Sequence, residues 1–151
     1  MDTEILFGKA VSIHIKEELS KDIACLKEKN IIPGLAAIII GDDPASKVYV
    51  RNKSKTFKSN GCYSETFSLP TDTSEKDLLD LIDKLNNDKK FHGILVQLPL
   101  PCHINSKNIL NHVSPDKDVD GFHPLNLGHL LEGEPSFIPC TPNGIIKMLE
   151  F

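Results

Sequence analysis

Residues 35–60, LAAIIIGDDPASKVYVRNKSKTFKSN, decide the fold that this sequence predicts. The run 35–40 is apolar at every position, which is typical of a strand covered on both faces of a parallel sheet. Asp43 and Pro44 then fit the N-cap and first position of a helix, because aspartate accepts a backbone hydrogen bond and proline has no N–H to lose. The stretch therefore predicts a buried strand followed directly by a helix over 43–60.

The flanking segments alternate between helical and extended patterns. Apolar residues recur at helical spacing in segments near 8–29, 74–87, 105–112, 125–131 and 142–150. Extended patterns predict two further strands, 63–69 and 93–101, the second broken by prolines. This order predicts a three-layer α/β/α domain with a mostly parallel sheet and right-handed crossovers.

Length, charge and hydropathy exclude several classes of function. A chain of 151 residues is long enough for one domain with its own core. A net charge of −4 without a basic stripe argues against nucleic-acid binding. No apolar run approaches the length of a membrane span, and the N-terminus lacks the pattern of a signal peptide. These features predict a cytoplasmic protein.

Cysteine and histidine spacing argues against disulfides and metal sites. The four cysteines lie far apart without a CxxC pair, at Cys25, Cys62, Cys102 and Cys140. The six histidines show no HExxH spacing. We therefore expect reduced thiols and no bound metal.

The helix over 43–60 carries polar groups that share one face. Ser46, Tyr49 and Lys53 fall at positions i, i+3 and i+7. The helix has no convincing apolar stripe, and a helix of this kind inside an α/β layer often lines a cavity. A lysine withdrawn from water there can serve as an acid or base. A solvated lysine beside a half-buried tyrosine is the alternative.

A second polar group interrupts the strand predicted over 93–101. Gln97 lies among apolar residues, next to Pro99 and Pro101, which end the ladder. One interpretation is a structural amide that is hydrogen-bonded to neighbouring backbone. The other is an amide at the carboxyl end of a strand that points into a ligand crevice.

The segment 117–124, KDVDGFHP, holds two carboxylates around a valine. It could be a simple turn, and a calcium loop is excluded because no further acidic ligands follow at the required spacing. In an extended conformation Asp118 and Asp120 would point the same way. One of them could then accept two parallel N–H bonds from a flat heterocycle.

Four motifs in order carry a family resemblance. GDDPAS-x-x-Tyr-x-x-x-Lys (41–53), GILVQLPLP (93–101), P-x-KDVDGFHP (115–124) and PCTPNG (139–144) resemble the bifunctional methylenetetrahydrofolate dehydrogenase/methenyltetrahydrofolate cyclohydrolase family. The resemblance runs from about residue 5 to the end of the chain. It implies oxidation of 5,10-methylenetetrahydrofolate with NAD or NADP, and hydrolysis of the methenyl product to 10-formyltetrahydrofolate. It further implies a cytoplasmic homodimer in one-carbon metabolism, which supplies purine biosynthesis.

The same resemblance implies roles for individual residues. Lys53 would be the acid/base group of the cyclohydrolase step, assisted by Gln97. Tyr49 would stack on or border the folate ring system, and Asp120 would hold the amino-pyrimidine edge of the pterin. The remaining folate contacts that it implies are Leu98, Pro99 and Ser46.

The resemblance also implies a domain organisation. Residues 1–141 would form the folate-binding catalytic domain, and 142–151 would begin a helix leading to a Rossmann domain absent from this chain. No GxGxxG loop follows a strand, so we expect no cofactor-binding residue here. Two alternatives remain: a folate-binding module that does not turn over in isolation, and the substrate domain of another two-domain dehydrogenase.

Overall fold

A computed structural model describes residues 5–151 and arranges three parallel strands in the order β2-β1-β3. The strands are β1 (Gly34–Ile40), β2 (Tyr63–Leu69) and β3 (Gly93–Val96). The helices are α1 (Gly8–Glu28), α2 (Pro44–Ser59), α3 (Glu75–Asn87), α4 (Ser106–His112), α5 (Pro124–Glu132) and α6 (Cys140–Glu150). The α/β fold with its parallel sheet is confirmed. Residues 1–4 of the predicted domain lie outside the described residues.

The central strand β1 is buried along its whole length. Alternate residues of a strand point to opposite faces, so β1 contributes to two separate cores. Ala36, Ile38 and Ile40 pack in a cluster with apolar residues of α3 and α4. Leu35, Ala37 and Ile39 pack on the other face against α2. Helices therefore cover both faces of the sheet, as the apolar run predicts.

Strand β3 is shorter than the predicted strand over 93–101. The backbone N–H of Gln97 still donates to the carbonyl of Ile38 at 2.9 Å, and regular pairing stops there. The next peptide bond, Leu98–Pro99, is cis. Because Pro99 and Pro101 have no N–H to donate, the ladder cannot continue. Gln97 thus lies at the end of the strand rather than within it.

Helix α2 begins as predicted, with the Asp43 carboxylate accepting a 2.7 Å hydrogen bond from the N–H of Ser46. Its fully buried residues are Ser46, Val50 and Ser54, so small polar groups occupy most of the inward face. The Ser54 hydroxyl lies 3.0 Å from the hydroxyl of Ser64 on β2. The predicted lack of a broad apolar stripe is confirmed.

Helices α1 and α6 contact each other at one side of the molecule. The apolar residues that recur at helical spacing on α1 are Val11, Ile15, Leu19, Ile23 and Leu26. Of these only Val11 is buried, and Leu19 is 49% exposed. The predicted helix is therefore present, with most of its apolar residues only partly covered. On α6, Ile145 and Ile146 are each 50% exposed.

Three further features concern residues 5–151 only. None of their helices is long and apolar enough to cross a bilayer. They contain no group of three or more His, Cys, Asp or Glu side chains suited to hold a metal ion. The four cysteines are all free thiols, and Cys62 is the buried one.

Candidate functional site

A cavity of about 260 Å³ opens beyond the end of β3. Its walls come from α2, the chain after β3, the segment before α5 and the start of α6. They are formed by Tyr49, Lys53, Val96, Gln97, Leu98, Asp120, Phe122, Pro139, Cys140, Thr141 and Pro142. Ligands of open α/β sheets bind outside the carboxyl ends of the strands, which is where this cavity lies.

Lys53 sits between a carboxylate and an aromatic ring. Its Nζ lies 3.8 Å from Oδ1 of Asp120 and 4.4 Å from the centroid of the Tyr49 ring. The side chains of Lys53 and Asp120 are 30% and 21% exposed, so both are partly withdrawn from water. A cation over an aromatic face is attracted by the ring quadrupole. The three groups thus place a proton carrier beside a flat surface on which a ring can stack.

Asp120 is a carboxylate in a site that disfavours its charge. Burial raises its pKa, the positive charge of Lys53 lowers it, and the negative charge of Asp118 raises it further, with a net upward shift. The 3.8 Å separation from Lys53 is longer than a direct hydrogen bond. The carboxylate therefore keeps acceptor capacity for N–H groups of a ligand.

Gln97 fits both interpretations of its sequence, a structural amide bonded to nearby backbone and an amide at a strand end beside a crevice. Its Nε2 donates a 2.7 Å hydrogen bond to the carbonyl of Leu98, so the amide is bonded to neighbouring backbone. The residue also lines the cavity at the end of β3. The backbone bond fixes the side chain at the position from which an amide can contact a bound ligand.

The two carboxylates of the DVDG segment point to different places, because the segment forms the turn that was one interpretation of its sequence and not the extended conformation that would align them. Asp118 is 5% exposed, and its Oδ2 accepts hydrogen bonds from the N–H of His123 at 2.7 Å and from Nδ2 of Asn126 at 2.9 Å. Asp120 faces Lys53 instead. The physical reason is a turn closed by the N–H of Gly121 on the Asp118 carbonyl at 3.2 Å, because alternation holds only in extended backbone.

Five of the seven predicted site residues meet in the cavity, namely Tyr49, Lys53, Gln97, Leu98 and Asp120. Ser46 and Pro99 are not among its lining residues. Ser46 is buried on the inward side of α2, because the helix turns it towards the sheet. The predicted folate contacts of Ser46 and Pro99 stay predictions.

The cavity also contains residues to which the sequence gave no role. Phe122 and the four residues 139–142 form much of its remaining wall. Phe122 and residues 139–142 belong to two motifs that carry the family resemblance, although no role was inferred for them from it. Their position depends on how the chain between α5 and α6 folds back, which no local pattern specifies.

A second cavity of about 560 Å³ lies on the other margin of α2, beside β2. Its charged lining consists of cations, Lys47, Arg51, Lys55 and Lys58. Lys47 is already paired with Asp42. The carboxylate, phenol and amide that accompany Lys53 have no counterpart in this lining. The smaller cavity is therefore the better candidate for acid–base chemistry.

The sequence matches the family described as "Tetrahydrofolate dehydrogenase/cyclohydrolase, catalytic domain" over residues 6–120. It is 52% identical over 147 residues to a protein named "Bifunctional protein FolD" from Geotalea daltonii, covering 97% of this chain and 52% of that protein. It is 53% identical over 147 residues to the protein of that name from Streptococcus agalactiae, again covering 97% of this chain and 52% of that protein. The chain spans about half the length of the curated relatives it matches.

Similarity to solved structures indicates the same family. A bifunctional methylenetetrahydrofolate dehydrogenase/cyclohydrolase from Campylobacter jejuni superposes with a TM-score of 0.94 at 48% identity, covering 97% of this chain and 52% of that one. The Trypanosoma brucei enzyme, solved with NADP cofactor and an inhibitor, gives a TM-score of 0.93 at 34% identity, covering 99% of this chain and 52% of that one. The motifs, the fold and these similarities agree, and the chain belongs to the tetrahydrofolate dehydrogenase/cyclohydrolase family.

Proposed function

We propose that the cavity beside Lys53 binds a tetrahydrofolate, and that the intact protein hydrolyses 5,10-methenyltetrahydrofolate to 10-formyltetrahydrofolate. The observation that carries this proposal is the placement of Lys53 between Asp120 and the Tyr49 ring in one cavity. Relatives of about 50% identity carry the name of a bifunctional enzyme, and a solved neighbour is named as the dehydrogenase/cyclohydrolase.

Hydrolysis requires proton movement around a cationic carbon. Water adds to the methenyl carbon, loses a proton, and one carbon–nitrogen bond then breaks, leaving the formyl group on one nitrogen and a proton on the other. We assign the proton transfers to Lys53, with Gln97 orienting the reacting groups from the end of β3. A lysine suits this step because its amine can release a proton to a leaving nitrogen and take one from the attacking water.

We assign substrate binding to the surrounding residues. The Asp120 carboxylate would accept N–H bonds from the amino-pyrimidine edge of the pterin, and its acceptor capacity supports this role. The Tyr49 ring would stack on or border the ring system. The other contacts proposed are with Leu98, Pro99 and Ser46.

Oxidation of 5,10-methylenetetrahydrofolate needs a hydride acceptor, which we propose to be NADP or NAD. The Trypanosoma brucei neighbour was solved with NADP, which supports a nicotinamide cofactor. We propose that 1–141 form the folate-binding domain, with 142–151 beginning a helix towards a nicotinamide-binding domain. The coverage of about half of the relatives supports this division. We further propose that the intact protein is a cytoplasmic homodimer that supplies one-carbon units for purine biosynthesis.

A folate-binding module without turnover is the second candidate for the chain in isolation. The exposed apolar residues of α6, whose first residues form one wall of the cavity, favour it. A wall that lacks packing on its outer side would hold the substrate less firmly. The family match argues against the substrate domain of an unrelated dehydrogenase.

The proposed function is tested by Lys53→Met in the intact protein. We expect the cyclohydrolase rate, followed by the loss of methenyltetrahydrofolate absorbance, to fall by about 100-fold or more, the scale of a lost acid–base group. Lys55→Met is the matched control, because Lys55 lies on the same helix outside the Lys53 cavity. Undiminished hydrolysis in Lys53→Met would refute the role of Lys53.

A further inference from the structure

The side chain of Asn126, on the first turn of α5, is 2% exposed and fully hydrogen-bonded. Its Nδ2 donates to the carbonyl of Pro115 at 3.0 Å and to Oδ2 of Asp118 at 2.9 Å. Its Oδ1 accepts from the Ser136 hydroxyl at 2.9 Å. One buried amide therefore connects three segments of the chain: its own helix α5, residues 115–118 and the segment at Ser136.

Two of these segments lead directly into walls of the Lys53 cavity. The backbone carbonyl of Asp118 accepts from the N–H of Gly121 and closes the turn that carries Asp120. The Asp118 carboxylate accepts from the N–H of His123, so Asp118 bonds to the far end of the 118–123 loop as well. Ser136 precedes the segment 139–142, which forms another wall.

The two walls also touch each other. A methyl group built at Gly121 would lie 3.1 Å from the carbonyl of Phe137 and 3.2 Å from Pro139. Displacement of one segment would therefore move the other. The Asn126 side chain is hydrogen-bonded to Asp118 in the first of these segments and to Ser136 beside the second.

We propose that Asn126 is a positioning residue of the folate site, which holds the Asp120 turn and the segment leading to α6 at the distance a folate requires. The proposal rests on the proposed function for its ligand, and on the three hydrogen bonds for its mechanism. Asn126 lies outside the cavity lining, so it acts through Asp120 and residues 139–142. A buried side chain that satisfies every donor and acceptor specifies one arrangement of the groups around it.

The test is a double-mutant cycle in the intact protein, with methenyltetrahydrofolate as substrate. Asn126→Ser removes the amide, and we expect KM to rise about tenfold while kcat changes less than about threefold, because a misplaced Asp120 binds the pterin poorly. In an Asp120→Ala background the same change should raise KM by a clearly smaller factor, about threefold or less, since one of the two groups that Asn126 positions is already absent. Asn108→Ser, at an exposed asparagine bonded to Glu75 on α3, is the matched control and should leave both constants unchanged.

Equal losses in both backgrounds would overturn the proposal, because general destabilisation acts independently of Asp120. A fall in kcat at unchanged KM would overturn it as well. Ser136→Ala removes one bond to Asn126 at an exposed position, and we expect it to show the same pattern with a KM increase of about threefold. It decides the question if Asn126→Ser does not fold.

Hydrogen exchange separates this proposal from the proposed function. In Asn126→Ser the backbone amides of Gly121 and His123, both bonded to Asp118, should exchange about tenfold faster. The backbone amide of Gln97, which donates to Ile38 of β1, should exchange at an unchanged rate. Unchanged exchange at Gly121 and His123 would reject the positioning role whether or not the protein is a cyclohydrolase. A wild-type protein that does not hydrolyse methenyltetrahydrofolate would reject the proposed function alone.

Discussion

Lys53 differs from the other cations of α2 in what surrounds it. The second cavity places Lys47, Arg51, Lys55 and Lys58 on the opposite margin of the helix. Lys53 instead lies 3.8 Å from a largely buried carboxylate and 4.4 Å from an aromatic centroid. An ion pair that is exposed to water contributes little to stability, but the attraction between the same two charges is stronger when they are partly withdrawn from water. The position on the helix therefore separates a lysine suited to acid–base chemistry from four solvated cations.

Asp120→Asn tests the electrostatic cost of the site. Burial raises the pKa of Asp120 in the folded protein above its unfolded value. The folded state then binds the proton more tightly than the unfolded state, so this carboxylate lowers stability as pH rises through the two pKa values. We expect the melting temperature of Asp120→Asn, relative to wild type, to increase as the pH rises from below the ordinary aspartate pKa to above the raised pKa of Asp120, where the wild-type carboxylate ionises.

The same variant should bind folate more weakly, because an amide presents one acceptor where the carboxylate presents two. Thermal unfolding at several pH values and a folate titration measure the two effects. A melting-temperature difference that shrinks with rising pH would contradict the unfavourable burial of the Asp120 charge.

At the scale of the element, α2 packs on the sheet with few apolar side chains and with hydrogen bonds between hydroxyl groups. Ser46 and Ser54 are buried on its inward side, and the Ser54 hydroxyl lies 3.0 Å from that of Ser64 and 3.2 Å from that of Thr66 on β2. Small side chains let the helix lie close to the strands. The helix can therefore present Tyr49 and Lys53 along its margin while its polar inward face remains satisfied.

Ser54→Ala tests whether these hydroxyl pairs hold the helix in place. Removal of the Ser54 hydroxyl takes a partner from buried Ser64, so we expect the free energy of unfolding to fall by about 1 kcal/mol. Ser59→Ala is the control, because that exposed hydroxyl bonds only within its own helix. Denaturant unfolding measures both variants, and equal stability of Ser54→Ala and wild type would contradict the packing role.

At the scale of the whole molecule, α6 is one of the elements that expose neighbouring apolar side chains. Ile145, Ile146 and Leu149 are 50%, 50% and 67% exposed, whereas the sheet core is buried. Neighbouring exposed apolar residues of this kind are typical of surfaces that pack against another element. The chain covers 52% of its first relatives, which is consistent with further polypeptide packing beside this helix in those proteins.

The isolated 151-residue chain tests how the activities divide. We expect it to bind a folate through the Lys53 cavity and to show no reduction of NADP with methylenetetrahydrofolate, because we assign the nicotinamide to another domain. Equilibrium titration measures the first property and absorbance of the reduced nicotinamide the second. Reduction of NADP by the isolated chain would contradict the proposed division into domains.

The sequence by itself determined the parallel α/β fold, the capped start of α2, and five residues of the cavity. The fold and the start of α2 depend on local rules, an apolar run and a cap at Asp43, as does the spacing of four between Tyr49 and Lys53, whereas Leu98 and the choice of Asp120 came from the family resemblance. The Asp118 and Asp120 directions could not be read in this way, because a closed turn abolishes the alternation of an extended chain. Local periodicity specifies an element, and it carries no information about which distant segment covers it.

The tertiary structure alone decided how the cavity is closed. Residues 139–142 form one wall because the Asn126 amide and the contact at Gly121 hold their segment against the Asp120 turn. Asp120 lines the same cavity, and its burial raises its pKa. These contacts join different segments of the chain, and their geometry exists only once the chain between α5 and α6 has folded back.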